Sequence, residues 1–200
     1  MAIMDSNLGF LPVASTVLIS GERNILVDPN NHHIGFYGLL GKALSSRGLT
    51  YSDIDVVVAT HWHHDHASNV GLFAGGELVV GKGELDFGRE VYGEEEVQGK
   101  IKKYAKVTEI DDAYELCPGV KVLYTPGHTP GSVCVVVEDG DQRIAVMGDT
   151  IMTREEWLEG KYSHWYSAEQ LAGLKKAAEM IKAYNPTVII PGHDRMFSIS

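Results

Sequence analysis

Thr60-His61-Trp62-His63-His64-Asp65-His66 sets three imidazoles and a carboxylate at the spacing H-x-H-x-D-H, carried by His61, His63, Asp65 and His66. The run before it, Ile54-Asp55-Val56-Val57-Val58-Ala59, is short, β-branched and apolar, and reads as a buried strand. The stretch after it, from Ala67 to Phe73, reads as the start of a short helix. The cluster therefore sits on the turn where a strand ends, a position at which α/β folds carry chemistry. A turn can aim neighbouring side chains at a common point, which a straight strand cannot. His61 and His63 are expected to reach one metal ion, while Asp65 and His66 turn toward a second. A surface turn rich in histidine by chance would not explain the pattern downstream. His128, Asp149 and His193 each follow a β-like run (Val120–Tyr124, Arg143–Met147 and Thr187–Ile190) and sit beside glycine. Histidine and carboxylate are the ligand types that suit zinc and similar divalent ions.

These segments together resemble the metallo-β-lactamase superfamily. The matching stretches are His61-x-His63-x-Asp65-His66, Thr125-Pro126-Gly127-His128-Thr129-Pro130-Gly131-Ser132, Gly148-Asp149-Thr150 and Pro191-Gly192-His193-Asp194. Asp28, in Ile25-Leu26-Val27-Asp28, is similar to the family's early strand-end aspartate. The resemblance implies an α/β fold of four layers, the αβ/βα sandwich, with metals at one edge of two facing sheets. Chemistry and the family pattern agree on the ligands. His61, His63 and His128 hold one ion; Asp65, His66 and His193 hold the other. Asp149 bridges them, because a carboxylate can offer one oxygen to each. Asp28 is expected to orient a ligand rather than bind metal, as carboxylates behind metal ligands commonly do.

Bulk properties are consistent with one domain over residues 1–200, of ordinary composition for a globular protein. No apolar run approaches the ~20 residues of a membrane span. The N-terminus, Met1 to Asn7, lacks the basic start and long apolar stretch of a signal peptide, so the expected location is the cytoplasm. Cys117 and Cys134 are too few for a disulfide framework. The formal charge of −10 favours solubility and opposes tight nucleic-acid binding, although a metal-lined cleft can be locally positive. The expected partner is a small-molecule substrate; a homo-oligomer is compatible with the sequence.

Further elements follow from pattern. Residues 13–20 and 24–28 read as a hairpin, 35–47 as a helix, and 77–81 as a strand. Four strand signals crowd residues 114–148. Ser167-Ala168-Glu169-Gln170 resembles a capping box opening a helix whose apolar face is Leu171, Leu174, Ala178 and Ile181. Three stretches carry two readings each. His32 and His33 are either solvated loop histidines or part of a flap over the metals. Residues 82–108, rich in glutamate and then lysine, form a charge-paired helix or loop, or a basic lip for an anionic substrate. Residues 151–166, with Tyr162 and His164 among their aromatics, wall a substrate pocket or pack under a loop. His33, Tyr162 and His164 are the candidate pocket residues.

The ligand set predicts hydrolysis. Two ions, expected to be zinc with iron or manganese as alternatives, would activate a water shared between them for attack on an electrophilic centre. Asp65, beside that water, could hold or shuttle its proton, so Asp65 and Asp149 are the candidate catalytic carboxylates. The expected substrate is a small ester, lactone, thioester or phosphoester. A persulfide dioxygenase with a single iron is the alternative from another class, because it resembles this ligand set.

Overall fold

Alternation along the strands decides the architecture. Val56 and Val58 face one way and Val57 the other, yet all three are buried, as are Ile25, Leu26 and Val27. A strand apolar on both faces must be covered on both faces. The computed structural model describes residues 2–3, 14–29 and 37–199. In chain order its first half runs β1 (Ala2–Ile3), β2 (Thr16–Ser20), β3 (Asn24–Val27), α1 (Tyr37–Ser45), β4 (Val56–Val58), the single turn α2 (His64–Ala67), β5 (Glu77–Gly81), α3 (Glu84–Tyr92), α4 (Glu94–Ile101) and β6 (Lys106–Ile110). The second half runs β7 (Tyr114–Cys117), β8 (Val120–Tyr124), β9 (Val133–Asp139), β10 (Gln142–Gly148), α5 (Arg154–Glu159), α6 (Ala168–Lys182), β11 (Val188–Pro191) and β12 (Phe197–Ser198).

The strands form two sheets of six, ordered β1-β2-β3-β4-β5-β6 and β12-β11-β10-β9-β8-β7. In the first sheet β3, β4, β5 and β6 are mutually parallel, joined by crossovers that carry helices. In the second, β7 to β10 form an antiparallel meander and β11 returns parallel to β10 after α6. Valines and isoleucines from the inner faces, including Val27, Val58, Val79, Val122, Val135 and Val146, make the core between the sheets. Outside the first sheet, Leu26, Val57 and Leu78 pack against Leu40 and Leu44 of α1, Leu85 of α3 and Val97 of α4. Outside the second, Cys134, Ala145 and Ile189 pack against Trp157 of α5 and Ala178 and Ile181 of α6. The result is the expected four-layer αβ/βα sandwich.

The hairpin, the strands of 114–148 and the Ser167–Gln170 capping box stand where the sequence places them. One local expectation needs correction, and two stretches left open take definite form. The helical turn after the histidine motif begins at His64, inside the motif, with His63 in extended backbone as its cap. Residues 82–108 hold two short helices and the first residues of an edge strand, β6; the helices are paired by Arg89 with Asp86 and Glu94 and by Lys100 with Glu96. The stretch 151–166 contains α5, capped by the Thr153 hydroxyl accepting from the Glu156 amide at 3.2 Å. Helices of six to nine residues complete too few turns to show a period. Among the described residues no helix is long and apolar enough to cross a membrane.

Candidate metal centre

Strand direction concentrates the chemistry at one edge. β3 and β4 run parallel, β10 and β11 run parallel, and β8 points with β10 because both are antiparallel to β9. Asp28 follows β3, His61 and His63 follow β4, His128 follows β8, Asp149 follows β10 and His193 follows β11. All seven residues read as ligands meet there. Donor atoms of His61, His63, His128 and Asp149 lie within 4.8 Å of one another, and so do those of Asp65, His66 and His193.

Asp149 faces both groups. Its Oδ2 is 3.4 Å from His128 Nε2 and 3.8 Å from His61 Nε2. Its Oδ1 is 3.1 Å from His66 Nε2 and 3.2 Å from His193 Nε2. His63 Nδ1 and His128 Nε2 face each other at 2.9 Å. Asp65 Oδ2 is 3.3 Å from His193 Nε2. His61 Nε2 is buried with no hydrogen-bond partner among the described residues. A buried ring nitrogen left unmet is costly unless something else satisfies it.

Close backbone approach makes this packing possible. Gly148 has φ +50°, and a Cβ there would strike the Thr60 side chain. A Cβ on Gly192 would run into Asp149 Oδ1. Both positions therefore require glycine beside a ligand. Asp28, at φ +49°, holds an unusual left-handed backbone for a residue with a side chain. Its carboxylate explains the arrangement. Oδ1 accepts from the Thr60 amide at 2.7 Å, while Oδ2 accepts from the Thr60 hydroxyl at 2.7 Å and meets His66 Nδ1 at 2.8 Å.

Protonation follows burial and neighbours. Burial, reinforced by nearby imidazoles, pushes His61 well below the usual histidine range. Burial likewise lowers His63 and takes His128 down to about 4. These three are neutral at pH 7, the form that ligates metal. Burial also works against charge on His66, but the Asp149 and Asp28 carboxylates on either side outweigh it and hold His66 well above the usual range. For Asp149, burial is outweighed by the surrounding imidazoles, His66 foremost, and its carboxyl is held well below the ordinary value.

The candidate pocket residues separate. Tyr162 packs against the core outside the second sheet. His164 is exposed, its ring 5.6 Å from that of Trp165. His33, with His32, lies outside the described residues. Three contacts were not assigned from the sequence. The Tyr166 hydroxyl is 3.1 Å from His128 Nδ1. Gln170, read only as a cap, also donates from Nε2 to the His128 carbonyl at 3.2 Å. Glu84, in the stretch without pattern, is fully buried against the ligand loops. The capping box was the one sequence signal near them.

Comparison with known proteins agrees with this geometry. The model of the metallo-beta-lactamase superfamily matches residues 8–193. The chain belongs to that superfamily. It is 28% identical over 149 residues to an N-acyl homoserine lactonase of Bacillus cereus, a match that takes in 74% of this chain and 58% of that protein. The superfamily member thus spans little more than half the length of this curated relative. A solved N-acyl homoserine lactone hydrolase, with the product N-hexanoyl-L-homoserine at its catalytic metal centre, superposes with a TM-score of 0.71 at 25% identity, covering 90% of this chain and 82% of that one. A dizinc quorum-quenching lactonase shares the fold, with a TM-score of 0.68 at 18% identity over 90% of this chain and 72% of the other.

Proposed function

We propose that this chain is a binuclear metallo-hydrolase that opens a lactone or a closely related small carboxylic ester. The observation that carries the reading is the Asp149 carboxylate, which lies between the two donor groups, with Oδ2 toward His61 and His128, Oδ1 toward His66, and His193 Nε2 within 3.3 Å of both oxygens. The residues fit two divalent cations. Neutral, buried imidazoles with an unmet nitrogen at His61 and facing nitrogens at His63 and His128 suit a cation better than they suit each other. In this proposal His61, His63 and His128 hold one ion, Asp65, His66 and His193 the other, and Asp149 both. Their mixed nitrogen and oxygen donors suit zinc, with iron and manganese as alternatives.

Divalent ions held there supply Lewis acidity: they polarise a carbonyl and lower the pKa of water from about 15.7 to about 7. The remaining chemistry belongs to the chain. Asp28 accepts a hydrogen bond from Nδ1–H of His66, which leaves Nε2 facing Asp149 and fixes the ring. The Tyr166 hydroxyl oxygen accepts likewise from Nδ1–H of His128. Asp65 is the most exposed of the carboxylates here, 31% accessible, and stands at the open side of the second group. It is placed to accept a proton from the attacking water and to return it to the leaving alkoxide. The lactone class is supported by the relatives, which are described as acting on N-acyl homoserine lactones.

Elemental analysis of the purified chain, followed by assay against lactones, linear esters, thioesters and phosphodiesters, tests the reading. The expected result is close to two zinc or manganese ions per chain and ring opening as the fastest reaction. One iron per chain with oxygen consumption on persulfides would replace it with the dioxygenase reading.

A further inference from the structure

Two fully buried carboxylates outside the donor groups grip the loops that carry the ligands, and each serves a different group. Asp28 bonds Thr60 and His66, on the side of the second group. Glu84, the first residue of α3, bonds different partners. Its Oε1 accepts from the Trp62 amide at 2.6 Å; its Oε2 accepts from the Thr129 hydroxyl at 2.7 Å and the Gly131 amide at 2.9 Å. Trp62 stands between His61 and His63, and Thr129 directly follows His128. One side chain therefore ties together the two loops that supply the three histidines of the first group.

We propose that Glu84 is a positioning residue that sets the span between the His61/His63 turn and the His128 loop, and so tunes the metal affinity of the first donor group alone. This rests on the binuclear reading above. The local packing is built around the tie. A Cβ on Gly131 would lie 2.6 Å from the Glu84 backbone nitrogen, so this loop comes as close to α3 as a chain can. A Cβ on Gly88, one turn along α3, would lie 2.5 Å from the Trp62 ring, so the helix docks on the same tryptophan through a second contact. Glu84 is placed at the N-terminal turn of α3, where the helix dipole favours a negative charge. No sequence pattern marks it, and among the described residues its hydrogen bonds go to Trp62, Thr129 and Gly131 rather than to Asp65, His66 or His193.

Zinc binding to the apoprotein, measured by competition with a chromophoric chelator, tests the assignment in two backgrounds. His193→Ala disables the second group and reports on the first; His63→Ala does the reverse. In the first background Glu84→Gln, whose amide must turn its NH2 toward backbone or hydroxyl donors, is expected to weaken zinc about ten- to a hundredfold, the range for residues that orient ligands. In the second background it should leave affinity within about twofold, since the hydrogen bonds of Glu84 run to the loops of the first group. Thr129→Val, which removes one donor and keeps the fold's apolar volume, is expected to weaken the first group in the same sense by less. It decides the matter if Glu84→Gln does not fold. Equal weakening in both backgrounds, or no change from either substitution in the first, overturns the proposal. Wild-type chain that binds fewer than two ions would instead overturn the binuclear reading, while the comparison in the His193→Ala background would still judge Glu84.

Discussion

The sandwich buries carboxylates both at its metal-centre edge and at the opposite ends of the strands, and the contrast between Asp149 and Glu77 separates a site from a support. Glu77 begins β5, at the end away from the metal centre. Its Oε1 accepts from Lys106 at 2.8 Å, Thr108 at 2.7 Å and Tyr114 at 3.0 Å, and its Oε2 lies 3.3 Å from Arg23. Every lone pair it turns inward is met by a side chain of the protein. At the metal centre Asp149 faces four imidazoles among the described residues, and His61 keeps a buried nitrogen with no partner among them. A network that closes on itself holds strands together; one left open is completed by something that binds.

That contrast can be broken by experiment. The largest effect is expected from Asp149→Ala. It should lower bound metal below one ion per chain and cut turnover at least about a hundredfold, because both groups lose a ligand together. Full metal content by elemental analysis would show that the centre does not depend on this carboxylate. Asp65→Asn touches one group, so it should remove about one ion per chain and leave the other in place. Loss of both would mean that the groups are not separable.

Zinc at about a hundred times its dissociation constant should stabilise the apoprotein by about 2.7 kcal/mol per site. Glu77→Gln should show the same zinc-induced rise in melting temperature as wild type, since the closed network does not bind metal. A smaller rise would couple the two ends. A finer effect is expected at Tyr166→Phe, which removes the hydroxyl behind His128. It should weaken zinc by about tenfold, the low end for such residues, while Tyr162→Phe leaves metal affinity unchanged and alters turnover only if that side chain meets substrate.

The smallest effect is pH-dependent. Burial works to raise Glu77, but the Lys106, Thr108 and Tyr114 bonds outweigh it and bring the carboxyl down to about 2 from an ordinary 4.5. The folded state therefore binds this proton less readily than the unfolded chain. The stability it confers is fully present above about 4.5 and fades as pH falls toward 2. Glu77→Gln should be less stable than wild type at neutral pH, with the gap closing across that acid window in denaturant titrations. A gap that persists unchanged at pH 2 would assign the effect to packing instead.

The candidate site was unevenly legible. His61, His63, Asp65 and His66 stood out because four donors within six residues have no other common use. His128, Asp149 and His193 could be added because each ends a strand beside glycine. Glu84 could not. A fully buried glutamate is written with the same letter as Glu94, Glu95 and Glu96, and its partners are 22 to 47 residues away along the chain. Tyr166 had the opposite difficulty: it sat among aromatics of which several were plausible, and only packing shows that Tyr162 turns to the core while Tyr166 reaches His128.

By itself the sequence determined the strands, the layered class and the seven donors, since these depend on local alternation, turn residues and side-chain chemistry. The tertiary structure brought the donors, from separate stretches of the chain, within 4.8 Å of one another in each of the two groups that the resemblance implied. Asp149 follows β10, which lies between β9 and β11, and the β10–β11 register shifts between Val146 and Gly148 just before it. The tertiary structure also decided which carboxylates became supports. Burial and partner geometry arise only when segments distant in sequence are packed together, and those are what distinguish Glu84 and Asp28 from the other acidic residues of the chain.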